Sequence, residues 1–151
     1  AAINGDAIGG GCELALACDV RLLKDTASLH FKQVFMGVTP GWGGGQRLSR
    51  LIGPGKAAYF YGLGISVSAA EALRHGIVDF VEADIDNRID ELGQIAATVP
   101  PQALRLTKRA IREGKSLELS EAYSVERSLF AESWVSDEHN RAVERFLARK
   151  K

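Results

Sequence analysis

The alternation of apolar and polar positions splits this chain into a glycine-punctuated first half and a helical second half. Ala1-Ala2-Ile3 opens as an apolar strand already under way, and a helical pattern runs from Cys12 to Cys18 with Glu13 in its first turn. Val20–Leu23 and Ser28–Phe31 read as short strands, and Thr39 to Gly45 reads as a loop, because Pro and Gly defeat regular structure there. Gln46–Ile52 reads as a short helix that Gly53-Pro54-Gly55 terminates, and Lys56–Gly62 as another. Ser68-Ala69-Ala70-Glu71 forms a capping box, opening a helix that stops at His75-Gly76, and Ile77–Val81 predicts one more strand. Beyond it, Ile85, Ile89, Leu92 and Ile95 sit at helical spacing up to Pro100-Pro101. Pro101 opens the next helix, with Leu104, Lys108 and Ile111 along it. Ser120 and Ser136 are candidate caps for two more helices, the last striped with Ala142, Val143, Phe146 and Leu147. No internal repeat or low-complexity linker interrupts this order.

Residues 4–13, Asn-Gly-Asp-Ala-Ile-Gly-Gly-Gly-Cys-Glu, carry the densest chemical signal. Consecutive glycines let backbone approach a bound group where any Cβ would intrude. Amides at a helix start point at that group and favour negative charge. A carboxylate one turn inside can move a proton nearby. Together they point to an oxyanion hole beside an acid/base. Two plainer roles compete: tight strand–helix packing for the glycines, and a favourable helix-dipole interaction for Glu13.

Composition narrows the field. The chain has 151 residues, enough for one ordinary domain with a sizeable core. Nineteen basic and nineteen acidic residues cancel, so bulk charge argues against nucleic acid or acidic membranes as partners. Arg149-Lys150-Lys151 is a local exception and reads as a solvated helix end. No apolar run approaches the ~18–20 residues that span a bilayer, and no signal peptide is visible. Cys12 and Cys18 lie on one helical stretch, cannot comfortably bridge, and read as small core residues in a reducing, cytoplasmic setting.

Two glycine-rich motifs, taken together, make the chain resemble the enoyl-CoA hydratase/isomerase (crotonase) superfamily over essentially its whole length. The first is Ala1-Ala2-Ile3-Asn4-Gly5 with Gly9-Gly10-Gly11-Cys12-Glu13-Leu14-Ala15 and Ala17-Cys18-Asp19. The second is Met36-Gly37-Val38-Thr39-Pro40-Gly41-Trp42-Gly43-Gly44-Gly45-Gln46-Arg47-Leu48. The resemblance implies an α/β fold: the C-terminal portion of a crotonase-like ββα spiral core over residues 1–82, then a helical oligomerisation subdomain over 83–151. It also implies a long segment ahead of Ala1 that holds earlier strands, one oxyanion amide and much of the coenzyme A pocket. The chain is then expected to be the C-terminal part of a larger protein, catalytically incomplete alone.

The same resemblance assigns roles. The Gly10 N–H matches one of two oxyanion donors for a thioester carbonyl, each worth roughly 3–4 kcal/mol. Gly9, Gly41 and Trp42 match substrate-binding positions, and Glu13 matches the first of two glutamates that hydratases place on one water. Counting back from Gly37, the second falls on Gln33, which hydrogen-bonds but cannot exchange a proton at neutral pH. Gln33 is left to position substrate or to lie on the surface. Strand alternation would put Lys32 opposite Gln33 and His30 with Lys32, so neither replaces it. His75 and His139 read as helix-end and surface residues.

The Pro40-Gly41-Trp42-Gly43-Gly44 loop resembles the acyl-CoA decarboxylase branch of the superfamily, as do Pro100-Pro101, Glu118 to Glu126 and Ser133-Trp134. Decarboxylation needs an oxyanion hole and an apolar pocket but no second carboxylate. Trp42 also reads as an aromatic packed under its loop. Phe146 and Arg149 match positions that hold the adenine and phosphates of CoA from a neighbouring subunit, with a core role as the other reading of Phe146. The expected enzyme takes a coenzyme A thioester as substrate, keeps no permanent cofactor or metal, and assembles as a homotrimer or dimer of trimers. Its expected reaction is hydration/dehydration or isomerisation of an enoyl-CoA. The alternatives are decarboxylation of a malonyl-type acyl-CoA, or a catalytically silent acyl-CoA-binding or oligomerisation module.

Overall fold

A computed structural model describes residues 1–148; Arg149 and the two terminal lysines lie outside the described residues. The chain forms two compact units, Ala1–Glu91 and the segment from Leu92 onward.

The first unit holds two three-stranded sheets. One is all parallel in the order β1 (Ala2–Ile3), β3 (Leu22–Lys24), β6 (Phe80–Glu82). The other has the order β2 (Ala7–Ile8), β4 (Ser28–His30), β5 (Ser66–Ser68), with β2 parallel and β5 antiparallel to β4. Helices α1 (Gly10–Ala17), α2 (Gly44–Ile52), α3 (Pro54–Gly62) and α4 (Ala69–Arg74) accompany them. Leu23, Phe31, Leu48, Val67 and Ile77 are fully buried in one core. Phe31 stacks on Phe60 and meets the edge of Tyr61, so the end of β4 is seated on α3. Such aromatic packing adds to the burial of apolar area that drives the fold.

The strand expected over Ile77–Val81 begins instead at Phe80. Arg21 explains the shift. Its buried guanidinium donates through Nε to Ile77 O at 2.8 Å, through Nη1 to Cys18 O at 2.8 Å, and pairs through Nη2 with Asp79 at 2.9 Å. The Arg21 N–H also donates to Asp79 Oδ2 at 2.7 Å. Ile77 and Asp79 are thereby engaged by a side chain, and a buried charge acquires the partners it requires.

Gly53-Pro54-Gly55 both ends α2 and begins α3, because Pro54 occupies a first-turn position where its missing N–H costs nothing. The capping box is present: Glu71 N–H donates to Ser68 Oγ, and Ser68 N–H donates to Glu71 Oε2 at 3.2 Å. Cys12 is buried as expected, but Cys18 is exposed at the end of α1.

Helix α5 (Ile85–Thr98) crosses the boundary between the units. In the second unit α6 (Pro101–Gly114) packs on α7 (Leu119–Trp134), burying Leu106 and Leu129, with Gly114 close against Ala122. α7 starts two residues earlier than a Ser120 cap would allow: Glu118 is its cap residue, and Ser120 instead accepts a bond from Ser124 Oγ through its carbonyl. Ser136 does cap α8 (Asp137–Ala148), accepting the His139 N–H at 3.2 Å. Phe146 lies exposed on α8, so it is not a core residue of this chain. No helix among the described residues is long and apolar enough to cross a membrane.

Candidate active site

Strand β2 passes into α1 through Gly9 alone, without a linker. Gly9 adopts φ +52° and ψ −108°, a conformation open to glycine and costly for a side chain. Its N–H donates to His30 O at 2.9 Å, and its carbonyl accepts from Cys12 at 3.1 Å and Glu13 at 3.3 Å. The next amide is different: among the described residues the Gly10 N–H has no acceptor. It stands at the positive end of α1, where a bound oxyanion is favoured. The Trp42 indole lies directly against Gly10, with ring atoms 2.5 and 2.9 Å from where a Cβ would stand. Trp42 is itself 64% exposed, so it forms a wall beside this amide rather than a plug beneath its own loop.

Glu13 is 3% exposed one turn further along α1. Oε1 accepts from Gln33 Nε2 at 3.1 Å and from the Gly41 N–H at 3.3 Å. Oε2 accepts from the Trp42 and Gly44 N–H groups, both at 2.8 Å. Burial pushes the carboxyl upward, but the amides of Gly44 and Trp42, the Gln33 side chain and the Gly41 amide together outweigh it, and the group sits below the ordinary carboxylate value. Gly44 is required at its position because Glu13 Cγ and the Tyr61 hydroxyl occupy the space of a Cβ.

Gln33 does not continue β4. It opens a short 3-10 helix over Gln33–Met36, so the alternation that separates it from Lys32 does not apply. That turn brings its amide to Glu13 and against Gly9, and buries its Oε1 without a partner. An ionised carboxylate accepts and never donates, which requires the Gln33 NH₂ group to face Glu13. Lys32 reaches away to Gly64 O at 2.6 Å and over the Phe35 ring. His30 is held between Asp6 and Ser66.

Gly9, Gly10, Glu13, Gln33, Gly41 and Trp42 are thus gathered by the first unit into one cluster. Sequence reasoning missed Tyr61, whose hydroxyl is buried without a partner, its pKa pushed up first by burial and then by the Glu13 charge. Nothing in the sequence separates Tyr61 from the apolar stripe of Ala57 and Phe60 on the same helix. Phe146 belongs to the second unit, and Arg149 lies outside the described residues. His75 caps α4 against the Phe60 ring, and His139 stands in the first turn of α8 beside Trp134. Among the described residues no group of three His, Cys, Asp or Glu is placed to hold a metal ion. An open amide beside an ionised, enclosed carboxylate can hold developing negative charge and exchange a proton within a few ångströms of it.

Comparison with known proteins shows the family. The enoyl-CoA hydratase/isomerase family model matches residues 1–151. The chain is 36% identical over 153 residues to the short-chain-enoyl-CoA hydratase of Clostridium acetobutylicum, covering 100% of this chain and 59% of that relative. Among solved structures it is similar to an enoyl-CoA hydratase subunit from Geobacillus kaustophilus, with 38% identity and a TM-score of 0.91, covering 98% of this chain and 58% of that one. It is also similar to a Thermobifida fusca protein solved in complex with CoA, with 34% identity and a TM-score of 0.81, covering 85% of this chain and 51% of that one. These neighbours share the expected α/β crotonase fold, and the chain spans less than two thirds of each one's length.

Proposed function

The chain belongs to the enoyl-CoA hydratase/isomerase family, and from that premise we propose that its site binds an acyl-CoA thioester and stabilises the enolate formed on it during hydration or isomerisation of an enoyl-CoA. The observation that carries this reading is the Gly10 N–H, left without an acceptor at the start of α1 and one turn from a buried carboxylate. The thioester oxygen accepts that N–H as negative charge moves onto it. Gly9 and Trp42 line the same approach, and Gly41 holds the loop. In hydration, a water proton passes to Glu13 as the oxygen bonds to the β-carbon, and a proton then goes from Glu13 to the α-carbon of the enolate. Oε1 is the oxygen for this exchange, because its donors, at 3.1 and 3.3 Å, are the longer pair. Gln33 orients the reactants and transfers no proton.

A second reading has its own support. The neutral Gln33 amide stands beside Glu13 where a hydratase-like pair would set another carboxylate, and a malonyl-type substrate carboxylate would meet one less negative charge there. Product mass from the full-length protein decides between them. Crotonyl-CoA gaining one water, with the gain lost in Glu13→Gln, supports hydration. Ethylmalonyl-CoA losing carbon dioxide makes decarboxylation the function. CoA-thioester binding without turnover of either substrate identifies a silent binding module.

We extend the proposal to assembly and location. Exposed Phe130, Trp134, Val135, Phe146 and Leu147 in the second unit support a homotrimer or dimer of trimers, with Phe146 and Arg149 offered to a neighbour's CoA; a monomer by light scattering of the full-length protein refutes it. Two cysteines free of disulfides support a reducing, cytoplasmic setting.

A further inference from the structure

Strand β2 is only two residues long, yet it must deliver Gly9 and Gly10 in one orientation. A ladder that short fixes little by itself. His30 supplies what the ladder lacks, because it holds both ends of β2. Behind the strand, its imidazole Nε2 meets Asp6 Oδ2 at 3.3 Å. Ahead of it, its backbone carbonyl accepts the Gly9 N–H at 2.9 Å. Ile8 and His30 are register partners between these two grips.

The imidazole is itself immobilised. Its Nδ1 lies 2.8 Å from Ser66 Oγ on β5, which is its register partner across β4. Asp6 is anchored from its other oxygen, which accepts the Ser28 N–H at 2.9 Å. An ionised Asp6 accepts only, so Nε2 carries the hydrogen, and Nδ1 shares a hydrogen bond with the Ser66 hydroxyl. Both ring nitrogens are committed, which removes His30 as a base for the reaction and leaves it as a brace.

We propose that His30 is a positioning residue for the Gly10 amide: by bracketing β2 it sets the direction in which that N–H points. The inference rests on the reading of Gly10 as oxyanion donor. Side chains that aim a preorganised dipole act on the transition state more than on substrate binding. Without the imidazole, Asp6 and Ser66 lose their common partner, the Asp6 end of β2 is released, and only the backbone bond from the Gly9 N–H to the carbonyl of residue 30 is left to aim the Gly10 N–H.

The test uses the full-length protein with butyryl-CoA labelled with ¹³C at the carbonyl, a saturated thioester that cannot be hydrated. Binding to the wild type is expected to lower the carbonyl stretching frequency, as a donor polarises the C=O bond. His30→Phe, which keeps a ring but removes both nitrogens, is expected to lose most of that downshift. On crotonyl-CoA it should lower kcat by about tenfold with KM changed less than about twofold. His30→Gln, which restores an N–H for Asp6, should recover most of both signals. Ser66→Ala and Asp6→Asn, each removing or weakening one exposed bond, should show smaller losses in the same readouts and keep the test open if His30→Phe fails to fold. A His30→Phe protein that keeps the full downshift and full kcat overturns the inference. A wild type that binds the thioester with no downshift overturns the Gly10 reading, and this inference with it.

Discussion

At the start of α2 the Gly44 amide and, just ahead of it, those of Trp42 and Gly41 converge on the Glu13 carboxylate; at the start of α1 the Gly10 amide meets no acceptor among the described residues. Both helices open on glycine, and both lack a side-chain cap. The difference lies in what fills the positive end of each. α2 receives an anion built into the chain, from a residue 31 positions earlier. α1 keeps its end open. An internal carboxylate that satisfies one helix start makes the loop before it rigid, and that rigidity sets the Trp42 wall beside the other start. Paired in this way, one glycine turn is structural and its neighbour is free to be chemical.

Removing the internal anion should have the largest effect. Glu13→Gln turns one acceptor oxygen into a donor facing donors, and is expected to cost about 3 kcal/mol of stability in denaturant unfolding. It should also lower turnover by at least about 10²-fold, in the range for a lost acid/base. A variant as stable as wild type would show that α2 does not depend on Glu13.

Next comes the open end itself. Gly10→Ala places a methyl group into the Trp42 ring and is expected to lower kcat by about 10²-fold, as for a lost oxyanion donor. Trp42→Ala in the same chain removes the clash and should return part of the loss. If the double variant is no better than Gly10→Ala, the defect lies in the α1 backbone rather than in the wall.

A subtler effect is expected in acid. Glu13 titrates below an unfolded glutamate, whose value is ~4.3. Its contribution is therefore complete above the unfolded value and disappears as pH falls through the lower, folded one. The stability gap between wild type and Glu13→Gln should narrow from about pH 4 downward; a gap that stays constant would mean that no charge is held there. The smallest change is a control away from both helix starts. Ser68→Ala breaks the α4 capping box, is expected to cost about 1 kcal/mol in thermal unfolding, and should leave kcat unchanged.

What could be read from the sequence was local. The Gly9–Glu13 turn, the Ser68–Glu71 box and the Ser136 cap each lie within a few residues, where spacing dictates geometry. The family motifs located Gln33 by position, but its turn and its bond to Glu13 were hidden, because they depend on a 3-10 helix that follows β4 without any periodic signal. The four donors around Glu13 come from residues 20 to 31 positions away, three of them backbone N–H groups that any residue but proline supplies. Tyr61 was invisible for the opposite reason: a buried hydroxyl on an apolar stripe looks like core until its neighbours are known. Ser120 misled because helix-favouring Leu119 precedes it and the turn starts there.

Arg21 carries a consequence in time as well as in space. It joins residues 58 positions apart, whereas the bonds around Glu13 close loops of 20 to 31. Each doubling of a loop adds about 0.6 kcal/mol to the entropy of closing it, so during refolding the glycine turns tend to come together ahead of β6. The Arg21–Asp79 lock is then expected to form late, after the transition state. Weakening it should hasten unfolding while leaving the folding rate nearly untouched. On that order, a guanidinium that takes no part in the cluster around Glu13 is expected to act on how long the folded state lasts.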